Sequence, residues 1–441
     1  MQLVRGVALA ALAGVVGAGC PSVGAYVCSD DTDCDRAQLQ GVCLSDDVCA
    51  YEDMSGTCPS GWVRSPNAEV SPGECVPLGG SDDVADDDGD STDTGGASAG
   101  FTSGPGTCGG RALITVNTGM LSPLSPVVGY PLYVVIDDPE LVAAIATSGE
   151  NIWITDDEGT ALPTEWEQAG ATEGRLGVWV RLPSHTLKAV VPLELHWGAV
   201  APASDPALVW DAFVGVWHFD TTPNATDQQP MPNSANADVP GRMFGTIEAD
   251  QGVPGMLGGS LRFDGIDDVV EVSAPWVGSL TSFTVTMWAR YEGESDKQDS
   301  YFQRLNGDAF YPRVWRSSDG ILTHQYRTDL GITPMFTDVT HPVGEWLHLV
   351  VQRDAPTNET RVFIDGELAV THVEEAGAVL ETGDNPFEIG SGEWGSFPGT
   401  IDEVRVATQA IPAAWMMADA NHQPDPTRAV TVGSAEPSPC D

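Results

Sequence analysis

The sequence predicts an all-β protein: two antiparallel β domains behind a small cysteine-rich region. Three observations carry this reading. From Arg111 onward, runs such as ALITVNTG, LGVWVRLP and SFTVTMWARYE alternate or cluster β-branched and aromatic residues, as strands with a buried face do. Gly, Pro, Asn and Asp punctuate these runs at turn spacing. The chain has 441 residues, more than one ordinary core accommodates, so more than one domain is expected.

The elements follow in order. Residues 1–19 lead into Cys20 as MQLVRGVALAALAGVVGAGC, with one basic residue, Arg5, an apolar stretch from Val7 to Val16, and small residues before the cysteine. This is an export signal, too short for an ordinary membrane span. Small residues before a cysteine resemble the lipobox cut by bacterial signal peptidase, although Gly17 stands where that motif usually has an aliphatic residue. The resemblance implies a lipid on Cys20; the alternative is a plain secretory signal with Cys20 left in the mature chain. Nine cysteines less Cys20 leave eight that can all pair: Cys28, Cys34, Cys43, Cys49, Cys58, Cys75, Cys108 and Cys440. In an exported chain these read as disulfides.

Residues 20–78 form a disulfide-rich stalk in which the Cys28 to Cys34 spacing recurs from Cys43 to Cys49. The segment is poor in large aliphatics, so cross-links must do what a core cannot. Pairings Cys28–Cys43, Cys34–Cys49 and Cys58–Cys75 suit the spacing without being fixed by it. A zinc site is disfavoured, because the segment has no histidine and no CxxC. Residues 79–106 contain no Lys or Arg and many aspartates, which makes them an acidic, disordered linker.

Residues 107–200 suit a β-sandwich, with PELVAAIATSGE supplying one short helix. The patches ITVNTG, VVIDDPEL, IWITDDEGTALPTEWEQ and VWVRLP followed by LELHWG resemble a bacterial domain of unknown function that often precedes laminin-G-like modules. Residues 208–422 carry VWHFD, SLRFDGIDDVVEV, FTVTMWAR, GEWLHLVVQRD, TRVFIDGELA and PGTIDEVRVATQAI in that order. That succession resembles a laminin-G-like, concanavalin A-like jelly roll, which implies two packed antiparallel sheets with loops at the rims. Phe283, Val285 and Met287, and Val362 with Ile364, should face inward. Residues 423–441 are expected to be a Pro-rich, poorly ordered tail, drawn back to the linker by a Cys108–Cys440 bond.

Lys and Arg total 19 against 64 Asp and Glu, a formal charge of -45, so nucleic acid and anionic lipid are disfavoured as partners. Membrane contact is expected only through the lipid anchor. The stretch SLRFDGIDDVVEVS reads as a hairpin whose turn holds Asp264, Asp267 and Asp268. Laminin-G-like and pentraxin-like jelly rolls often hold calcium at the rim; by that resemblance these three, with Asp402 as a partner, are candidate ligands. The competing reading makes them turn formers only. No organic cofactor is indicated.

Catalysis is not expected. Asp268 and Glu271 lie three apart on a strand, hence on opposite faces, as do the adjacent Asp402 and Glu403. Glu165 and Glu167 have the right parity but read as a surface strand edge. His348 reads as packed on or near a sheet face. Tyr301, Phe310, Tyr311, Trp315 and Tyr326 are candidates for stacking on sugar rings, while Trp217, Trp288 and Trp346 read as core. The expected protein is a non-catalytic lipoprotein of the bacterial cell envelope, on the outer membrane or cell surface, whose jelly roll binds carbohydrate or a surface protein with calcium assisting. The alternatives are a purely structural envelope protein and a glycan-degrading enzyme.

Overall fold

The computed structural model describes residues 41–43, 49–52 and 62–64, and residues 107–439 apart from 125–126, 147–151, 168–173, 184–188, 199–200, 203, 275–280, 294–298, 307–308, 381–384 and 392–394. Contacts divide the chain into two units, Met1–Gly89 and Asp90–Asp441. In the first, strands Gly41–Cys43, Cys49–Glu52 and Trp62–Arg64 form an antiparallel sheet whose register sets Cys43 opposite Cys49. Cys20, Cys28, Cys34, Cys58, Cys75, Cys440 and the linker lie outside the described residues.

The second unit begins with a sandwich. Strand Val190–Trp197 lies between Thr107–Asn117 and Ile152–Thr155, and strand Leu176–Arg181 between Pro131–Ile136 and Thr164–Glu167. Alternation in VVPLELHW does what the sequence implies: Val191, Leu193, Leu195 and Trp197 are buried while the intervening residues are not. The expected helix is Pro139–Ala146. Asp138 Oδ1 accepts the backbone N–H of Glu140 and Leu141 at 2.9 Å each, satisfying two donors that a helix start leaves open.

The C-terminal segment corrects one expectation. Up to residue 439 this segment is not a poorly ordered tail: Val430–Val432 and Glu436–Pro439 pair with Thr107–Asn117 and complete the sandwich's larger sheet. Before them, helix Ala413–His422 packs between sandwich and jelly roll. Its Trp415 meets Tyr130 edge-on, Asn421 donates to the Leu121 carbonyl, and a ring nitrogen of His422 bonds the Tyr133 carbonyl.

The jelly roll has two eight-stranded antiparallel sheets. The first runs Gly252–Pro254, Gly259–Asp264, Pro398–Ala407, Phe283–Tyr291, Trp346–Asp354, Glu359–Ile364, Glu367–Val373, with Gly215–Trp217 also paired to Pro398–Ala407. The second runs Gln229–Met231, Gly241–Phe244, Val269–Val272, Phe387–Ile389, Asp299–Asn306, Ala309–Arg316, Ile321–Thr328, Gly331–Thr340. SLRFDGIDDVVEVS is therefore not a hairpin. Gly259–Asp264 and Val269–Val272 belong to different sheets, and the acidic turn is a corner between them at the rim.

Phe283, Val285, Met287, Val362 and Ile364 face the jelly-roll interior as expected. Strand Phe283–Tyr291 is buried on both faces, because its outward Thr284, Thr286 and Trp288 are covered as well. One apolar core accounts for this: sandwich residues, Trp415 and Met416 of the helix, and Val216, Val350, Phe363 and Ala407 of the jelly roll pack as a single cluster. Among the described residues no helix is long and apolar enough to cross a membrane.

Candidate functional site

The rim turn brings Asp264, Asp267 and Asp268 together, with one carboxylate oxygen of each within 4.8 Å of the others. Part of this is turn chemistry. Asp264 Oδ1 accepts the N–H of Ile266 at 2.7 Å and of Asp267 at 3.4 Å, and Asp268 Oδ2 accepts from Asp264 N at 2.8 Å and Gln251 Nε2 at 2.6 Å. Asp268 Oδ1, however, is buried without a hydrogen-bond partner among the described residues. Beside it, Gly245 has φ +92, and a Cβ there would sit 2.7 Å from the Asp267 carbonyl oxygen and 3.0 Å from Asp268 Oδ1. Two oxygens thus face a small gap that only glycine leaves open. Burial raises the Asp268 carboxyl, and the nearby Asp264 and Asp267 charges add to this against its hydrogen bonds.

Asp402 is not part of this group. It is fully buried on strand Pro398–Ala407, where its Oδ2 accepts the N–H of Met256 at 2.8 Å and of Leu257 at 3.0 Å. It belongs to a second cluster that the sequence reading missed, a charged seam between sandwich and jelly roll. Glu165 and Glu167 lie there, not on a surface edge. Glu167 Oε1 accepts from Trp179 Nε1 at 2.6 Å and its Oε2 from Tyr133 at 2.7 Å; Glu165 accepts from Ser234 at 2.6 Å and from the Trp210 indole. His218 Nδ1 meets Glu403 Oε1 at 2.7 Å, its Nε2 lies 3.5 Å from Glu165 Oε2, and its ring stacks on Trp179. Arg405 binds Glu403 at 2.8 Å and Asp419 at 3.3 Å, with its guanidinium over the rings of Trp179 and Trp210.

Strand parity failed here because of a bulge. Pairing of Phe283–Tyr291 with Pro398–Ala407 slips between Thr286 and Trp288, and Glu403 adopts φ 51. Asp402 and Glu403 are consequently both buried near Glu167, where alternation had separated them. Burial opposes the charge on His218, but Glu403 and Glu165 outweigh it and hold the imidazolium well above its ordinary range. Burial pushes Glu167 up to about 7, and Asp402 well above its usual range with Glu403 adding to it. Glu403 is drawn down by His218 and Arg405 in spite of burial.

A third arrangement lies on the outer face of the second sheet. Arg242, Glu271, Glu388, Gln303, Arg313 and Gln325 follow one another across six strands in register. Gln303 donates to Glu388, and Arg313 donates to Gln325 and lies over the Trp315 ring. Glu271 and Glu388 are direct cross-strand neighbours; burial raises both, and Glu271 raises Glu388 further. The sequence reading paired Glu271 only with residues on its own strand. Of the aromatic candidates, Tyr301 and Tyr326 are core residues, Trp315 is buried, and the side chains of Phe310 and Tyr311 lie outside the described residues. Trp217 and Trp288 are core as expected, Trp346 is half-buried under Arg290, and His348 packs against Trp288 on the outward side of its sheet.

Comparison with known proteins gives one family match: residues 264–416 fit Laminin_G_3, of the concanavalin A-like lectin/glucanases superfamily. No curated protein matches the chain. Among solved structures, a Trypanosoma rangeli sialidase in complex with 2,3-difluoro-KDN aligns with TM-score 0.36 and 11% identity over 51% of this chain and 34% of that one. Domain 4 of AbnA, a GH43 extracellular arabinanase from Geobacillus stearothermophilus, in complex with arabinotriose, aligns at 0.37 and 19% over 47% of this chain and 98% of its own. The binding domain of botulinum neurotoxin DC in complex with SialylT aligns at 0.38 and 9% over 48% and 52%. The chain therefore spans about a third of the sialidase and about half of the neurotoxin domain. Residues 264–416, which carry most of the jelly roll's strands, are thus similar to the Laminin_G_3 model of the concanavalin A-like superfamily, within an all-β chain.

Proposed function

We propose that this chain is an extracytoplasmic, lipid-anchored bacterial protein whose jelly roll binds carbohydrate or another surface component at its rim, with calcium assisting and without catalysis. The observation that carries this is Asp268 Oδ1, a buried carboxylate oxygen left without a partner inside a group of three aspartates. A buried, unpaired carboxylate oxygen is costly, and a divalent cation removes the cost. Calcium takes 6–8 oxygens, roughly twice what three aspartates and the Asp267 carbonyl supply one each, so its remaining positions suit water or paired sugar hydroxyls. Asp264 and Asp267 are exposed, which leaves that side of the turn open to a ligand. A glycan array probed with the full chain in calcium and in chelator tests this. Calcium-dependent signal is expected; equal signal removes the rim from the account, and no signal in either condition favours the purely structural role.

The anchor is tested by Cys20→Ser, which should release the protein into the soluble fraction; retention at the membrane overturns lipidation. We also propose a Cys108–Cys440 disulfide, since strand Glu436–Pro439 returns to pair with Thr107–Asn117, the strand that carries Cys108. Peptide mapping without reductant should find it, and Cys108 joined to a stalk cysteine would refute it.

One observation favours hydrolysis as a second reading. Glu271 and Glu388 are directly opposed on neighbouring strands, so their side chains project from one face of the sheet, the arrangement a pair of catalytic carboxyl groups needs. Release of reducing sugar from a soluble glucan, abolished by Glu271→Gln, would establish that reading against ours.

A further inference from the structure

Beside the charged seam, a cleft of about 470 Å³ opens between the sandwich and the jelly roll. The rim reading makes no use of it. Tyr133, Arg175 and Leu176 line it from the sandwich, Asp220 and Gly258 from the jelly roll, and Gln423 from the end of the helix. Its base is firm. Tyr133 is tied to Glu167 at 2.7 Å, and Gly258, at φ +55, lies so close to the seam that a Cβ there would stand 3.3 Å from Glu167 Oε2. Gln423 accepts from Trp288 at 2.6 Å and donates to Asp419. Walls braced by a shared core do not need ordering when a ligand enters, which is the condition for a preformed site.

Arg175 and Asp220 are the charged side chains of the lining, one contributed by each domain. Neither makes an ion pair or hydrogen bond with any described residue. Both are exposed, which leaves their polar groups open to a ligand. The two groups offer a fork of N–H donors and a pair of acceptor oxygens, complementary to hydroxyls that both accept and donate. Their charges cancel, and the chain's charge of -45 disfavours an anionic ligand. Val253 and Pro424 add apolar surface of the kind that packs on the CH face of a sugar ring.

We propose that this interdomain cleft is a second ligand seat, taking a neutral saccharide unit between Arg175 and Asp220. It is built by both domains, is distinct from the rim, and requires no calcium. Saturation-transfer NMR on the full chain in chelator, with cellotriose, xylotriose and maltotriose as probes, tests it while the rim is silenced. At least one probe should bind. Arg175→Ala and Asp220→Asn should each weaken that binding by about tenfold or more, as loss of a charged hydrogen-bond partner does. Both residues are exposed and neither is hydrogen-bonded or ion-paired to a described residue, so the melting temperature should move little. Asp267→Ala with Asp268→Ala, which disables the rim, should leave this binding intact. Absence of binding by all three probes, binding indifferent to both cleft variants, or binding lost only in the rim variant would overturn the proposal. So would preference for a free amino acid over all three sugars, which would make the seat one for zwitterions.

Discussion

Two dense groups of carboxylates among the described residues, the seam and the rim, solve the same electrostatic problem in opposite ways. In the seam, Glu165, Glu167, Glu403 and Asp419 are enclosed with Arg405 and His218, and the indoles of Trp179 and Trp210 face both cations. Counter-charge is supplied by the protein, and burial together with Glu403 raises the Asp402 carboxyl well above its usual range. At the rim, Asp264, Asp267 and Asp268 have no cationic side chain hydrogen-bonded or ion-paired to them among the described residues, and one buried oxygen has no partner. The lesson is that crowding of acids does not by itself indicate a metal. What matters is whether the fold supplies cationic partners, which the seam has and the rim, among the described residues, lacks.

Removing the seam's own cation should break this contrast most severely. Arg405→Met leaves Glu403 and Asp419 buried without their guanidinium, and chemical denaturation should show a loss of about 3–5 kcal/mol. Adding Glu403→Gln and Asp419→Asn should recover much of it. A single-variant loss below about 1 kcal/mol, the scale of an exposed pair, would mean that the seam is not charge-compensated by Arg405.

Calcium should act on the rim alone. At a hundredfold excess over its dissociation constant it should add about 2.7 kcal/mol, seen as a higher melting temperature. Asp267→Ala with Asp268→Ala should abolish the increment, whereas Glu167→Gln should leave it whole. An increment that follows the seam variant would reverse the assignment of the two groups.

Acidity separates the regions again. A histidine whose folded value is raised contributes stability that is complete below about pH 6.5 and is lost as pH rises through the raised value. His218 should therefore give an alkaline limb, with a slope approaching about 1.4 kcal/mol per pH unit, that disappears in His218→Gln. His324, His341 and His422, brought down to about 4 by burial, and His348, brought to about 3, do the opposite. Their contribution is present above about pH 6.5 and is lost as pH falls toward their folded values. A smaller effect is expected at the turn, where Asp264→Ala removes the acceptor for two backbone N–H groups and should cost about 0.5–1.5 kcal/mol in chelator.

Strands and their inward faces were legible because period two is local: SFTVTMWARYE declares its alternation without reference to anything else. Partners were not. Leu261 and Val270 read as one hairpin, yet their strands belong to opposite sheets, since alternation says which way a side chain points and nothing about which strand lies beside it. The seam was illegible for a related reason. Glu167 finds Tyr133 and Trp179 nearby in sequence, but His218, Glu403 and Arg405 only through tertiary packing, and a bulge at Glu403 defeats the parity rule that had separated it from Asp402. The buried oxygen of Asp268 was equally unreadable, because composition marks a turn without revealing which of its oxygens the fold leaves unserved.

The strand that opens the sandwich is completed by the strand that ends the chain: Thr107 lies opposite Pro439, and the jelly roll falls between them. During synthesis the sandwich's larger sheet is therefore completed only after the jelly roll has been made, which departs from the usual order in which N-terminal domains fold first. Its contacts are among the most distant that the sequence allows, a topology associated with slow folding and prolonged exposure of unpaired edges. Until residues 430–439 pair with it, Thr107–Asn117 is an open edge, a template on which another chain can pair.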